Sequence, residues 1–333
     1  MPLIAQNPKE RIILGLMTFG PDASSGARIT SFPTFTKCLD YFQSSGYNEV
    51  DTARMYVNGL QEAWTAAAHW QNRGLTLATK VYPYEAGVHE PDRLKEHALK
   101  SLSELGAECV DIFYLHAPDH SVPFEETLEA VNELHKEGRF IQLGLSNFAA
   151  WEVAECWNIC KERGWVRPTV YQAMYNAITR SIETELVPCC RKYNIDIVVY
   201  NPLAGGLFSG KIKSKDLVPD EGRFSNVSER TGNMYRERYF KDSTFEALRL
   251  IEPVAEKHKL TLLEIALRWC IHHSALKTRA KGGNDGVIIG VSSFEQLESN
   301  LKDLEKGPLP EDVVKALDEA WMVAKATTPN YFR

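Results

Sequence analysis

The chain has 333 residues, of which 44% are hydrophobic and 25% charged, with a formal net charge of -6. That length suits one large α/β domain or two ordinary ones. An acidic balance without a long basic run argues against nucleic acid or an anionic membrane as the main partner, and leaves room for a local basic pocket that takes phosphates.

The N-terminus, "MPLIAQNPKERIIL", has a short apolar run broken by Lys9, Glu10 and Arg11, so neither a signal peptide nor a membrane span is expected there. Seven cysteines (Cys38, Cys109, Cys156, Cys160, Cys189, Cys190 and Cys270) form an odd set without C-x-x-C spacing. They read as reduced packing residues of a cytoplasmic protein, and no metal site is expected, since no Cys or His pair has zinc spacing.

In chain order, apolar or β-branched runs occur at 11–17, 49–53, 75–81, 110–116, 140–147, 169–176, 196–203 and 286–292, which makes eight candidate strands. Helical spacing fills the intervals. In "PDRLKEHALKSLSELG", Leu94, Ala98, Leu102 and Leu105 share a face, and "PFEETLEAVNELHKEG" ends in a glycine suited to a left-handed stop. Thr261 with Glu264 and Ser293 with Gln296 are spaced as capping boxes. Residues 204–241 form a loop far longer than a barrel needs, and its arginines and aromatics favour a lid. Two helices, near 244–259 and 261–274, precede the eighth strand. A last amphipathic helix, 310–326, leads into the tail of the segment 310–333.

Eight strands alternating with helices can form a doubly wound sheet or a closed (β/α)8 TIM barrel. The barrel is the expected fold, as a single domain over 1–333. The C-terminal ends of successive strands carry Asp51, Lys80, His116, Ser146 with Asn147, Gln172 with Tyr175, Asn201, and Ser292 with Ser293, which is how a barrel delivers chemistry to one rim. The dinucleotide fingerprint G-x-G-x-x-G is absent from "GLMTFGPDASSG" after the first strand.

A phenol, an ammonium, an imidazole and a carboxylate at one rim suit proton donation to an alkoxide formed when a hydride attacks a carbonyl. In this reading Tyr56 is the proton donor, Lys80 lowers its pKa, Asp51 tethers Lys80, and His116 orients the carbonyl oxygen or assists the relay. Each residue alone has a plain explanation as a cap, a surface charge, a core histidine or a half-buried aromatic. Their placement at consecutive strand ends is what argues for a site. The hydride must come from a cofactor. In "NPLAGGLFSGK", Gly205, Gly206 and Gly210 would let backbone amides approach a pyrophosphate. As a Walker A loop the segment fails, because Ile212 follows Lys211 where Ser or Thr is needed. Ser292 and Ser293 at a helix N-terminus offer a second seat for an anion.

Together with "GLSNF", "PTVYQAMYNAITRSIETELVPC", "YNPLAGGLFSGK", "GRF", "MYRERYF" and "PNYFR", these residues make the chain resemble the aldo-keto reductase superfamily, within it the aflatoxin-aldehyde and succinic-semialdehyde reductase branch. The resemblance implies an NADPH-dependent carbonyl reductase with Asp51, Tyr56, Lys80 and His116 as its catalytic tetrad. It implies that Ser146, Asn147 and Gln172 hold the nicotinamide carboxamide and that Tyr175 stacks on the ring. Asn201, Pro202, Leu203 and the loop on to Lys211 would embrace the pyrophosphate. Arg223, Ser292, Gln296 and Asn300 would serve the adenosine end and its 2'-phosphate, although the Lys-Ser pair of better-known branches is absent. An acidic substrate would meet Met55, Tyr235, Arg236 and Arg333. The branch often forms dimers, so a homodimer is the partner that the resemblance allows. Two alternatives keep the fold: a dedicated natural-product reductase or dehydratase, and a cofactor-binding regulatory subunit like the potassium-channel β-subunits.

Overall fold

The computed structural model describes residues 9–333, so most of the apolar N-terminal run read above lies outside the described residues. Eight parallel strands close into a barrel in sequence order, with the last hydrogen-bonded to the first. They are β1 (Arg11–Gly15), β2 (Glu49–Asp51), β3 (Thr76–Val81), β4 (Val110–Leu115), β5 (Phe140–Ser146), β6 (Pro168–Met174), β7 (Asp196–Tyr200) and β8 (Gly286–Ile289). Each lies within one residue of its apolar run. Most of the runs extend past the strand at the C-terminal end, where the chain leaves the ladder and the rim side chains begin. Among the described residues no helix is long and apolar enough to cross a membrane.

Alternation along the strands divides the core in two. Ile13, Ala78, Ile112, Tyr114, Val170, Val198 and Ile288 fill the barrel interior, with Tyr200 packed on top. The opposite parity, including Leu14, Val50, Leu77, Phe113, Leu145, Tyr171, Ile197 and Ile289, packs under the surrounding helices. Those helices are α1 (Phe32–Ser44), α2 (Gln61–Ala67), α3 (Pro91–Leu105), α4 (Phe124–Lys136), α5 (Ala150–Arg163), α6 (Leu186–Lys192), α7 (Glu229–Tyr239), α8 (Asp242–His258), α9 (Leu262–His272), α10 (Phe294–Leu304) and α11 (Glu311–Ala324). α11 packs against α8 outside the regular ring.

Helix ends follow local chemistry. α3 stops at Gly106, whose φ of 63° is left-handed. The two expected capping boxes are half formed. Thr261 and Ser293 accept the N–H of Glu264 and Gln296, but Glu264 turns to Arg268 and Lys306, and the Gln296 side chain accepts the N–H of Ser292. The 204–241 segment is not a bare loop. It contains a 3-10 turn at Ala204–Ser209 and α7, whose Tyr235 lies over Gly205: a Cβ there would sit 2.5 Å from the ring. Phe224 packs against Tyr235, Tyr239 and Phe240, so the segment has an aromatic core of its own.

Candidate active site

The ends of β2, β3 and β4 bring four of the rim residues together. Lys80 is fully buried, and its ammonium donates to Asp51 Oδ1 at 2.5 Å, to the Thr52 carbonyl at 2.6 Å and to the Tyr56 hydroxyl at 3.4 Å. The His116 ring stands edge-on to Tyr56, with centroids 6.0 Å apart, and its Nδ1 is buried without a partner. Tyr56 begins a 3-10 turn in which Val57 and Asn58 take φ of 50° and 51°. A β-branched residue rarely adopts that conformation, and here Val57 is buried over Gly20, where an added Cβ would come within 2.9 Å of both its methyls. That plug fixes where the loop leaves β2.

Electrostatics separates the roles. Burial, then the Asp51 charge, pushes the Tyr56 phenol well above its usual range, which overturns the expectation of a lowered Tyr56 pKa. Lys80 sits close enough to stabilise a phenolate once one forms, but the resting state is a protonated phenol. Burial, reinforced by Lys80, Arg333 and His89, holds His116 well below the usual histidine range. A neutral imidazole can donate a hydrogen bond and cannot release a proton at neutral pH. Burial also lowers the Lys80 ammonium, against the opposing pull of Asp51.

Beside this group Asn147, at φ 62°, ties several elements together. Its side-chain nitrogen donates to the His116 carbonyl at 2.8 Å and to Ser146 Oγ at 3.0 Å. Its side-chain oxygen accepts from the Tyr200 hydroxyl at 3.2 Å, and its carbonyl accepts the Arg333 N–H at 3.0 Å. Gln172 donates to Asp51 Oδ2 at 2.9 Å, so the structure brings it to the tetrad.

Several expectations need correction. Tyr175 does not face the site. On β6 the inward residues are Val170 and Gln172, and Tyr175 has the opposite parity: its ring packs on Trp269 and its hydroxyl meets Glu183 and the Ala275 N–H. The tyrosine at the mouth is Tyr200, in phase with Val198 on β7, and counting by twos along "DIVVY" would have found it. Arg236 is occupied by the Phe224 carbonyl and Asn233. Arg238 instead shares a face with Tyr235, three residues away on α7, with its guanidinium carbon 5.3 Å from the Tyr235 ring and its charge acting on Tyr200 and Tyr82.

Nor do Gly205, Gly206 and Gly210 present a free amide cradle. Their N–H groups donate to Asn201 Oδ1, the Leu203 carbonyl and the Leu207 carbonyl. Asn201 also donates to Tyr239, and this orders the turn through buried Pro202 and half-buried Leu203. Lys211 is exposed.

The remaining rim residues lie around the mouth or on α10. Met55 is half-buried beside Tyr56. Arg333 donates to the Tyr82 hydroxyl at 3.0 Å. Ser292 and Ser293 lead into α10, on which Asn300 is buried. Arg223 reaches Met17 Sδ at 3.3 Å, past the end of β1, and would lie 3.7 Å from a Cβ at Gly290, past the end of β8. Arg28, which no sequence signal marked, donates to the Gly222 carbonyl and is lowered by burial and by the Arg223 charge. Among the described residues neither guanidinium forms an ion pair with a carboxylate. Two cations held against each other in this way fit an anionic phosphate ester.

The closed barrel with Tyr56, Lys80, Asp51 and His116 gathered at one rim is the setting in which the comparisons identify an oxidoreductase that acts on carbonyl groups. The aldo/keto reductase family model matches residues 11–322, and the chain belongs to that family, whose members generally use NAD(P)H. An aldo-keto reductase of Pseudocercospora fijiensis is 47% identical over 298 residues, covering 88% of this chain and 99% of its own. Human aflatoxin B1 aldehyde reductase member 2 is 43% identical over 336 residues, 98% of this chain and 90% of that protein. Aldo-keto reductase pigE of Monascus ruber is 39% identical over 341 residues, 98% of each chain.

Proposed function

We propose that this protein reduces aldehydes with NADPH, that Tyr56 is the proton donor, and that aldehyde acids or dialdehydes are its preferred substrates. The observation that carries the reading is the contact of Tyr56 with the buried Lys80 at 3.4 Å beside a neutral His116. Of the two groups able to face a carbonyl oxygen, only the phenol retains an acidic proton at neutral pH.

The hydride, which no side chain can supply, would come from the dinucleotide when bound. The chain's own residues do the rest. His116 orients the carbonyl oxygen through a ring N–H. Tyr56 passes its proton to the oxygen as negative charge develops there, and Lys80, held by Asp51 and the Thr52 carbonyl, stabilises the phenolate left behind. The phenolate then takes a proton from solvent. In this reading Ser146, Asn147 and the Tyr200 ring would seat the nicotinamide end, and Arg28 and Arg223 would take phosphate. The preference for NADPH over NADH rests on that arginine pair.

Support for an acidic substrate comes from Arg238 and Arg333, which reach the mouth from α7 and from the tail, near Tyr82 and Tyr200. Human aflatoxin B1 aldehyde reductase member 2 and its relatives make aldehydes the natural first class to assay. The test is steady-state consumption of NADPH and of NADH with succinic semialdehyde, a dialdehyde and neutral aromatic aldehydes. NADPH turnover with a lower KM for the acid is the expected result. Tight NADPH binding without turnover on any of these substrates would overturn the proposal.

A further inference from the structure

Between β2 and α2 the chain runs from Thr52 to Leu60, and Tyr56 stands in the middle of this stretch. Its first part stays alongside β3: the N–H groups of Thr52 and Arg54 donate to the carbonyls of Ala78 and Lys80 at 2.8 Å and 3.0 Å. Its far part is held by side chains behind the barrel wall. Glu62, in the first turn of α2, is fully buried. Its Oε1 accepts from the Thr79 hydroxyl at 2.6 Å, and its Oε2 accepts from the Arg54 guanidinium at 2.6 Å. The same Arg54 nitrogen reaches the Gly59 carbonyl at 3.3 Å, and an added Cβ on Gly59 would lie 2.7 Å from the guanidinium. Thr79 precedes Lys80 on β3 and has the opposite parity to Ala78 and Lys80, so its hydroxyl points away from the interior that Lys80 enters. One carboxylate therefore ties the strand position beside the ammonium to both sides of the turn that carries the phenol.

Stability alone does not account for a carboxylate here, because apolar side chains of similar volume often replace a buried ion pair without loss. What the charged pair adds is direction, through hydrogen bonds that fix the turn against the strand. The contact it governs is a long one, 3.4 Å from the Lys80 ammonium to the Tyr56 hydroxyl, and a small shift of the turn would end it. We infer that Glu62 and Arg54 are positioning residues for the proton transfer: from behind the wall they set the Tyr56 turn against the Lys80 strand, and with it the distance from ammonium to phenol. This rests on Tyr56 being the acid.

The test uses the whole protein with Thr79→Val, Glu62→Gln, Arg54→Met and the double variant Arg54→Met/Glu62→Gln, which leaves no unpaired buried charge if Arg54→Met alone fails to fold. Tyr56→Phe is the reference and Arg191→Met the control. The Arg191 side chain is 23% exposed against 22% for Arg54, and its partner Asp285 is 1% exposed against 0% for Glu62. That pair lies at the opposite end of the barrel, where β7 and β8 begin. With the fastest aldehyde of the panel above, the single-turnover rate of NADPH oxidation, its solvent deuterium isotope effect, KM, the NADPH Kd from protein fluorescence and the melting temperature are measured.

Thr79→Val and the double variant should slow the single turnover about tenfold or more, the scale of a lost hydrogen bond to a charged group. KM and Kd should stay within about twofold, and the isotope effect should rise as proton transfer becomes limiting. Glu62→Gln should fall between these and the wild type, since an amide can still accept from Arg54 and donate to the Thr79 hydroxyl. Arg191→Met should lower the melting temperature and leave the single-turnover rate within about twofold of the wild type. A wild-type rate in Thr79→Val or in the double variant would overturn the inference, even with Tyr56→Phe inactive. So would an equal slowing in Arg191→Met, which would mean general loosening, or weaker NADPH binding at an unchanged rate. An active Tyr56→Phe would remove the proton-donor reading itself, and the inference with it.

Discussion

His89 gives a quantitative prediction about stability. It lies in the loop between β3 and α3, is 1% exposed, and leaves Nε2 buried without a partner. It lies near the end of β3, where the Val81 carbonyl accepts the His116 backbone N–H at 2.9 Å. Burial pushes its pKa from 6.5 down to about 4, against the opposing pull of Asp119. The folded protein therefore holds His89 neutral while the unfolded chain takes up a proton as pH falls below 6.5. Stability drops from there and levels off only below the folded value. The full gap corresponds to about 3 kcal/mol, of which about 2 kcal/mol is lost between pH 7 and pH 5. Urea unfolding at those two pH values, for the wild type and for His89→Leu, isolates this contribution. Burial, the first cause of the His116 shift, is common to both proteins, so the larger part of its contribution drops out of the comparison and only the smaller effect of the His89 charge does not. The wild type should lose about 2 kcal/mol more than the variant on acidification. Equal losses would mean that His89 is protonated in the folded state, and the argument from burial would be wrong.

Tyr56→Phe should bind NADPH normally and turn over about 100- to 10,000-fold more slowly, the range for a lost general acid; a single-turnover assay separates chemistry from binding. Arg238→Ala should raise KM for aldehyde acids well beyond its effect on neutral aldehydes, while Arg236→Ala, whose guanidinium serves the Phe224 carbonyl, should affect both alike. Arg223→Ala should weaken NADPH more than NADH in equilibrium titrations, and a uniform loss would argue against contact with the 2'-phosphate.

The barrel was legible because each strand announces itself as a compact apolar run and the chain offers eight. That Asp51, Lys80 and His116 would meet at one rim was legible because they fall at consecutive strand ends, a position that needs no side-chain detail. What failed was direction. Tyr175 and Tyr200 both follow apolar runs, and only the parity of their strands sends one behind the wall and the other into the mouth. Arg236 and Arg238 differ in the same way, by the phase of a helix inside a segment read as a loop. The glycines after β7 signalled freedom of backbone but not which partners would take their N–H groups. The Tyr56 pKa failed for another reason. Its direction depends on burial and on the Asp51 charge, neither of which residue spacing encodes.

The charge of the whole chain and that of its mouth have opposite signs, and the way the mouth is built explains how both persist. The net charge is -6, yet Arg28, Arg223, Arg238 and Arg333 surround the rim without an ion-pair partner among the described residues. Aromatic faces hold three of them: Arg223 and Arg238 lie 5.2 Å and 5.3 Å from the centre of the Tyr235 ring, and Arg333 lies 5.8 Å from that of Tyr82. A carboxylate in the same place would fix the guanidinium but cancel its charge, and an incoming anion would then have to displace it. A π-face orients the cation and leaves the charge available. Tyr235 is thus a scaffold for two cations and, by lying on Gly205, also the point where α7 rests on the turn after β7. An anion that drew Arg223 and Arg238 together would therefore act on the same ring that rests α7 on the turn after β7.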